Sequence, residues 1–202
     1  METNNIMETD NIMETSNSKS NQAPLLSGGV GGGFLPLVSI IMGSTSDLPV
    51  MEKACKLLDE LQVPFEVNAL SAHRTPEAVE QFARTARERG LKVIIAGAGM
   101  AAALPGVIAA ETPLPVIGVP IKGSCLEGLD ATLAILQMPP GIPVATVAIN
   151  GAQNAAILAM QMLALADEAL MQKLAAYKQG LKKKIVKANE ELAKLEYKFK
   201  CQ

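Results

Sequence analysis

The apolar residues of this chain gather into short, nearly unbroken runs: LVSIIM (37–42), FEVNAL (65–70), KVIIAG (92–97), VIGVPI (116–121) and VATVAI (144–149). Between and after them, residues 48–61, 76–89, the neighbourhood of 101–111, 129–136 and 153–165 carry their apolar positions at helical spacing. Runs that are apolar throughout, instead of alternating, suit strands of a parallel sheet with helices covering both faces. Five β-α units in series therefore predict a doubly wound α/β domain over residues 35–166.

The two ends follow other patterns. Residues 1–34 begin with a repeated unit (METNNI, METDNI, METSN) and finish in the cluster SGGVGGG. Neither stretch can bury a face, so this segment reads as a disordered extension and a glycine-rich linker. Residues 167–202 are helix-forming and increasingly basic. Leu170, Leu174, Tyr177, Leu181 and Ile185 recur at intervals of three or four, which predicts packing against either the chain's own domain or a neighbouring subunit. Gly180 is a weak point that leaves one helix or two open. The lysines there read as a solvated face, since no aromatics interleave them.

Composition narrows the partners. Lys+Arg 18 against Asp+Glu 20 leaves a net charge of -2, Trp is absent and aromatics make up 3% of residues. Neither a global positive field nor a stacking platform exists for nucleic acid, and a small molecule is the expected partner. Cys55, Cys125 and Cys201 are far apart with no CxxC, which points to a reduced, cytoplasmic setting without a zinc or disulfide framework. No apolar stretch is long enough to span a membrane.

In an open parallel sheet, ligands bind outside the carboxyl ends of the strands. MGSTSD (42–47) follows the first run: glycine permits a tight turn, Ser44 and Ser46 offer donors near a helix N-terminus, and Ser46 or Asp47 equally suits helix capping. SAHRTP (71–76) follows the second. Thr75 and Pro76 make a good helix start, with Thr as N-cap. His73, the chain's one histidine, and Arg74 stand in the connecting loop, where imidazole can exchange protons near neutrality and guanidinium can fork a phosphate or carboxylate. GAGMAA (97–102) follows the third run. It matches the dinucleotide fingerprint, but the next strand ends without the acid that would hold a ribose, so its small residues read instead as allowing close approach of backbone to an anion. No Walker loop, GxSxG or metal-ligand cluster occurs. Cys125 can serve as a nucleophile only if His73 reaches it.

Taken in order, MGSTSD, SAHRTP, AGAGMAAALPG, VIGVP, QMPPGIPVATVAI and NAAILA resemble the class I 5-(carboxyamino)imidazole ribonucleotide mutases of de novo purine synthesis, over about residues 37–166. The resemblance implies a flavodoxin-like three-layer α/β/α sandwich and a homo-octamer in which the C-terminal helix wraps a neighbouring subunit. It also implies an isomerase that moves a carboxylate from the exocyclic nitrogen of an aminoimidazole ribonucleotide to a ring carbon, through decarboxylation and recapture of carbon dioxide, with no ATP, metal or organic cofactor. His73 then becomes the general acid/base, since an imidazole can both give and take a proton. The resemblance further implies that Ser44 and Asp47 bind the ribonucleotide and Arg74 its phosphate, with Ser46, Ser71 and Ala72 beside them, and that Gly97, Ala98, Gly99, Met100 and Leu104 border the imidazole and carboxylate. Two positions depart from the family pattern: Ala103, where many members carry histidine, and Pro140, where many carry Arg or Gly. Three alternatives stay open: a class II carboxylase using free carbon dioxide, a non-catalytic nucleotide-binding homologue, and an FMN-binding redox module.

Overall fold

The computed structural model describes residues 35–201; the extension and linker expected over residues 1–34 lie outside that range. In chain order the elements are β1 (Val38–Met42), α1 (Leu48–Glu60), β2 (Phe65–Ala69), α2 (Pro76–Thr85), β3 (Val93–Gly99), α3 (Leu104–Glu111), β4 (Val116–Ile121), α4 (Leu129–Leu136), β5 (Ala145–Thr146), α5 (Ala152–Ala164) and α6 (Glu168–Ala193). A single turn of 3-10 helix at Thr45–Asp47 leads into α1, and a tight turn at Leu126–Gly128, all three residues at positive φ, leads into α4. The strands form one parallel sheet in the order β2-β1-β3-β4-β5, the flavodoxin-like order of a doubly wound fold.

The alternation of side chains along each strand divides the core in two. Val38, Ile40 and Met42 of β1, Val93 and Ile95 of β3, and Ile117 and Val119 of β4 meet Met51, Leu58, Ala156 and Met160 of α1 and α5 on one face. Ile41, Ile94, Ala96 and Val116 meet Val79, Phe82, Ile108 and Ile135 of α2, α3 and α4 on the other. β1 and β4 are buried along their whole length and β3 up to Ala98, as continuous apolar runs require. β2, at the sheet edge, is only half-buried.

Three boundaries depart from the sequence pattern. The run at 144–149 predicts six residues of strand, but β5 has two. A residue in a strand points its N–H and C=O to the same side, and the carbonyl of Pro120 accepts a bond from Asn150 N–H (2.8 Å) on the β5 side. Proline has no N–H to return, so the β4–β5 ladder breaks there and continues only as single bonds such as Val147 N–H to Gly118 C=O (3.1 Å). α2 stops at Thr85 instead of Arg89. The chain tightens into turns up to Gly90 at φ +95°, and Arg89 instead clamps both carboxylate oxygens of Glu66 on β2 (2.9 and 2.7 Å). β3 runs two residues past the expected Gly97, because Ala98 and Gly99 still pair with Pro120 and Ile121 of β4.

α6 is a single helix through Gly180, where an added Cβ would meet nothing. Asp167 caps it by accepting a bond from Leu170 N–H (3.0 Å). Leu170 and Leu174 are buried against the chain's own core, with Tyr177 packed beside them. Leu181 and Ile185, further along the same stripe, are exposed in the single chain.

Candidate active site

The register of the sheet brings three predicted segments side by side. Met42 is level with Ala69 of β2 and Gly97 of β3, so the loops after β1 and β2 leave the sheet together at its carboxyl edge, with that of β3 beside them. They enclose an open cavity of about 710 Å³ lined by residues from those loops and the one after β4. Eleven of the twelve sequence-predicted site residues line it: Ser44, Ser46, Asp47, Ser71, Ala72, His73, Arg74, Ala98, Gly99, Met100 and Leu104.

Each wall has a local cause. After β1, Ser44 accepts a bond from Ser46 N–H (3.3 Å) and its carbonyl accepts one from Asp47 N–H (3.1 Å), closing the 3-10 turn. Ser44 therefore caps this turn, and Asp47, at the start of α1, makes no side-chain capping bond. Its carboxylate instead accepts from the Ser46 hydroxyl (3.4 Å). Burial pushes the Asp47 carboxyl above its usual value, while the Ser46 hydroxyl, a hydrogen bond from the Ser44 backbone and the charge of Arg74 pull it back down.

After β2, Thr75 stands at the N-cap position of α2 but does not cap the helix. Its hydroxyl turns back, accepting from Ser71 N–H (2.9 Å) and donating to Ser71 C=O (3.1 Å), which draws residues 71–75 into a closed loop. Arg74 spans two loops: its guanidinium donates to Gly43 C=O (2.8 Å) and to the Ser71 hydroxyl (3.2 Å). The cation that the sequence assigned to an anion is thus pre-oriented by both neighbours of its site. His73 is exposed at the cavity wall, and no hydrogen bond to another described residue holds its ring.

After β3, Met100 and Ala102 adopt left-handed conformations (φ 55° and 43°), a local strain of the kind concentrated at functional loops. A bond from Ala102 N–H to Gly99 C=O (3.0 Å) closes this turn before α3. Ala103 lines the cavity at the N-cap of α3 and contributes only a methyl group. Pro140 is exposed on the loop after α4, outside the cavity lining.

Gly97 corrects the sequence reading. It lies inside β3 and faces α1, where an added Cβ would stand 2.5 Å from Met51 Sδ; it serves packing and does not line the cavity. Cys125 is exposed and also outside the lining, its thiol 3.9 Å from the Ser124 hydroxyl.

Sequence reasoning missed the wall after β4: Ile121, Lys122 and Gly123. The signal was available, because the rule that ligands bind beyond strand carboxyl ends applies to VIGVPI as much as to the earlier runs. What supports that wall was not available. Asn150, 28 residues away, accepts a bond from Lys122 N–H through its side-chain oxygen (3.0 Å) and takes a left-handed conformation (φ 57°) to do so.

Chemically, the cavity combines one imidazole, two cations on different walls, serine hydroxyls, a carboxylate and glycine- and alanine-rich backbone. That set suits a small anionic molecule that must gain and lose a proton.

Comparison with known proteins agrees with this inventory. Residues 37–184 match the family described as AIR carboxylase. The chain is 58% identical over 149 residues to the N5-carboxyaminoimidazole ribonucleotide mutase of Pyrococcus abyssi, covering 74% of this chain and 86% of that protein. It is 54% identical over 159 residues to the mutase of the same name from Bacillus subtilis, covering 78% and 98%. The phosphoribosylaminoimidazole carboxylase of Saccharomyces cerevisiae is 60% identical over 139 residues, which are 69% of this chain and 24% of that longer protein. Among solved structures, Treponema denticola PurE superposes with a TM-score of 0.70 at 30% identity, covering 78% of this chain and 98% of that one.

Proposed function

The chain belongs to the AIR carboxylase family, and from that premise we propose that its cavity carries out the mutase reaction, moving a carboxylate from the exocyclic nitrogen of 5-(carboxyamino)imidazole ribonucleotide to a ring carbon to give 4-carboxy-5-aminoimidazole ribonucleotide. The observation that carries the reading is the convergence of His73, Arg74, Ser44 and Asp47 on one cavity, in a chain 50–58% identical to bacterial and archaeal mutases.

In this reading each residue takes the role that the family resemblance implies, and its position supports it. Arg74, oriented by Gly43 and Ser71, takes the phosphate as a bidentate fork, and the hydroxyls of Ser44, Ser46 and Ser71 supplement it. Asp47 accepts from the ribose hydroxyls. The backbone at Ala98–Met100 and the side chains of Ala72 and Leu104 border the imidazole. His73 gives a proton to the exocyclic nitrogen as its bond to the carboxylate carbon breaks. Carbon dioxide is then attacked by the ring carbon, a carbon–carbon bond forms, and imidazole removes the proton which that carbon sheds. Protons and electrons balance within the substrate, and the reaction as proposed uses no ATP, metal or organic cofactor.

The chain is further read as a cytoplasmic, nucleotide-binding homo-octamer without nucleic-acid or membrane partners. Among the described residues no helix is long and apolar enough to cross a membrane. Assembly is supported by the stripe Leu129, Leu133 and Leu136 on α4, each about half exposed in the single chain, and by the outer half of α6. Light scattering that finds a stable monomer would remove the octamer.

The test mixes purified protein with chemically generated 5-(carboxyamino)imidazole ribonucleotide, without ATP or added metal, and follows the carbon-carboxylated product beside a His73→Asn variant. Conversion by the parent and none by the variant is expected. No conversion by folded parent, with turnover of bicarbonate and the uncarboxylated nucleotide instead, would make it a class II carboxylase; binding without any turnover would make it a non-catalytic homologue.

A further inference from the structure

One ion pair at the cavity rim has no place in the roles above. Lys122 lines the cavity, and its ammonium is paired with the carboxylate of Glu127. The segment between them is built at a conformational penalty: Leu126 and Glu127 are consecutive non-glycine residues in left-handed conformations (φ 50° and 54°), followed by Gly128 at φ 90°. Together they fold the chain back on Lys122 so closely that a Cβ at Gly128 would stand 3.1 Å from Lys122 Cα. Backbone strain of this kind persists where the surroundings enforce it and concentrates at functional loops.

The base and the tip of Lys122 differ in how firmly they are held. Its backbone N–H is bonded to the Asn150 side-chain oxygen (3.0 Å), and Asn150 N–H to Pro120 C=O (2.8 Å), so the root of the side chain is anchored to the end of β4. The ammonium sits on a flexible four-carbon stem, and its pair with Glu127 is exposed on both sides (51% and 74%). Exposed pairs are weakly held and readily exchanged.

Position supplies the other half of the argument. The sheet order places β4 three inter-strand steps from β2, about 14 Å at the usual strand spacing. Arg74, bound to Gly43 and Ser71 on the β1–β2 side, is committed to that end of the cavity. A molecule with an anion at each end needs a second cation on the opposite wall, and Lys122 occupies that wall.

Resting on the mutase reading, we propose that Lys122 receives the carboxylate of the substrate and product, and that Glu127 holds the ammonium at the rim until that carboxylate displaces it. Glu127 is a positioning residue and acts only through Lys122.

The test compares two nucleotides that differ by one carboxylate, 4-carboxy-5-aminoimidazole ribonucleotide and 5-aminoimidazole ribonucleotide, by calorimetric titration of the full chain. Lys122→Met should weaken the carboxylated nucleotide about ten-fold, the scale of one charge-assisted bond, and leave the uncarboxylated one nearly unchanged; Lys122→Arg should recover most of the loss. Glu127→Gln should tighten the carboxylated nucleotide a few-fold, most clearly at low salt. Circular dichroism confirms that each variant is folded. Equal weakening of both nucleotides by Lys122→Met, or of neither, overturns the proposal while the parent's binding and turnover leave the mutase reading intact. A folded parent that binds neither nucleotide overturns both.

Discussion

Gly97→Ala separates a packing role from a binding role at the position where the two readings diverge. The added methyl would stand 2.5 Å from Met51 Sδ, 3.0 Å from its Cε and 3.2 Å from its Cγ. The Sδ distance is shorter than real Cβ contacts and the other two are tight, so the Met51 side chain must shift from Cγ outward to admit the methyl. Met51 is fully buried among residues of β1, β3 and α5 and has no solvent to retreat into. Overpacking by one methyl at such a site costs about 1–3 kcal/mol. For a chain of this size about 2 kcal/mol lowers the melting temperature by about 4–8 °C. Thermal and urea unfolding at one fixed protein concentration would measure it, since assembly makes the midpoint concentration-dependent. In the double variant Gly97→Ala/Met51→Ala the new methyl enters the space that methionine leaves, so the loss should fall short of the sum of the single losses by about 1 kcal/mol. KM should change little, because Gly97 faces α1 and not the cavity. Unaltered stability with a raised KM would refute the packing argument and return Gly97 to the binding site.

Other expectations follow from the same geometry. Burial raises the Asp47 carboxyl, so the folded protein binds more protons than the unfolded chain between the usual carboxylate pKa of 3.8 and the raised value, and stability falls as pH rises through that window. Asp47→Asn should thus be more stable than the parent at pH 7 in urea unfolding, with the gap narrowing toward pH 3.8, while kcat/KM drops. Arg74→Lys keeps the charge but loses the fork that reaches Gly43 and Ser71; steady-state kinetics should show kcat/KM reduced about ten-fold or more, with unfolding stability within about 1 kcal/mol of the parent. Asn150→Ala removes the acceptor for Lys122 N–H and places alanine at φ 57°, and should cost about 1–3 kcal/mol in denaturant unfolding.

Much of this protein was legible along the chain. Local hydrophobic pattern located all five strands and their order of helices, because an apolar run bounded by turn residues needs no distant information to be recognised. The site was legible for a related reason: in a parallel sheet every strand ends at the same edge, so MGSTSD, SAHRTP and the segment around GAGM had to meet once the strands were assigned. The residues misjudged or missed are those whose state depends on a distant partner. Gly97 belongs to the sheet because β4 continues to pair with β3 beyond it. β5 is short because Pro120, on the neighbouring strand, lacks a donor. Thr75 is a local exception: its hydroxyl bonds the backbone of Ser71, four residues earlier, and leaves the helix end without a side-chain cap. Lys122 takes its place on the cavity wall through Asn150, 28 residues later. Side-chain periodicity is a local property and can be read in order; hydrogen-bond partners and steric contacts between distant segments exist only after the chain has folded, and they decided the last details of the site.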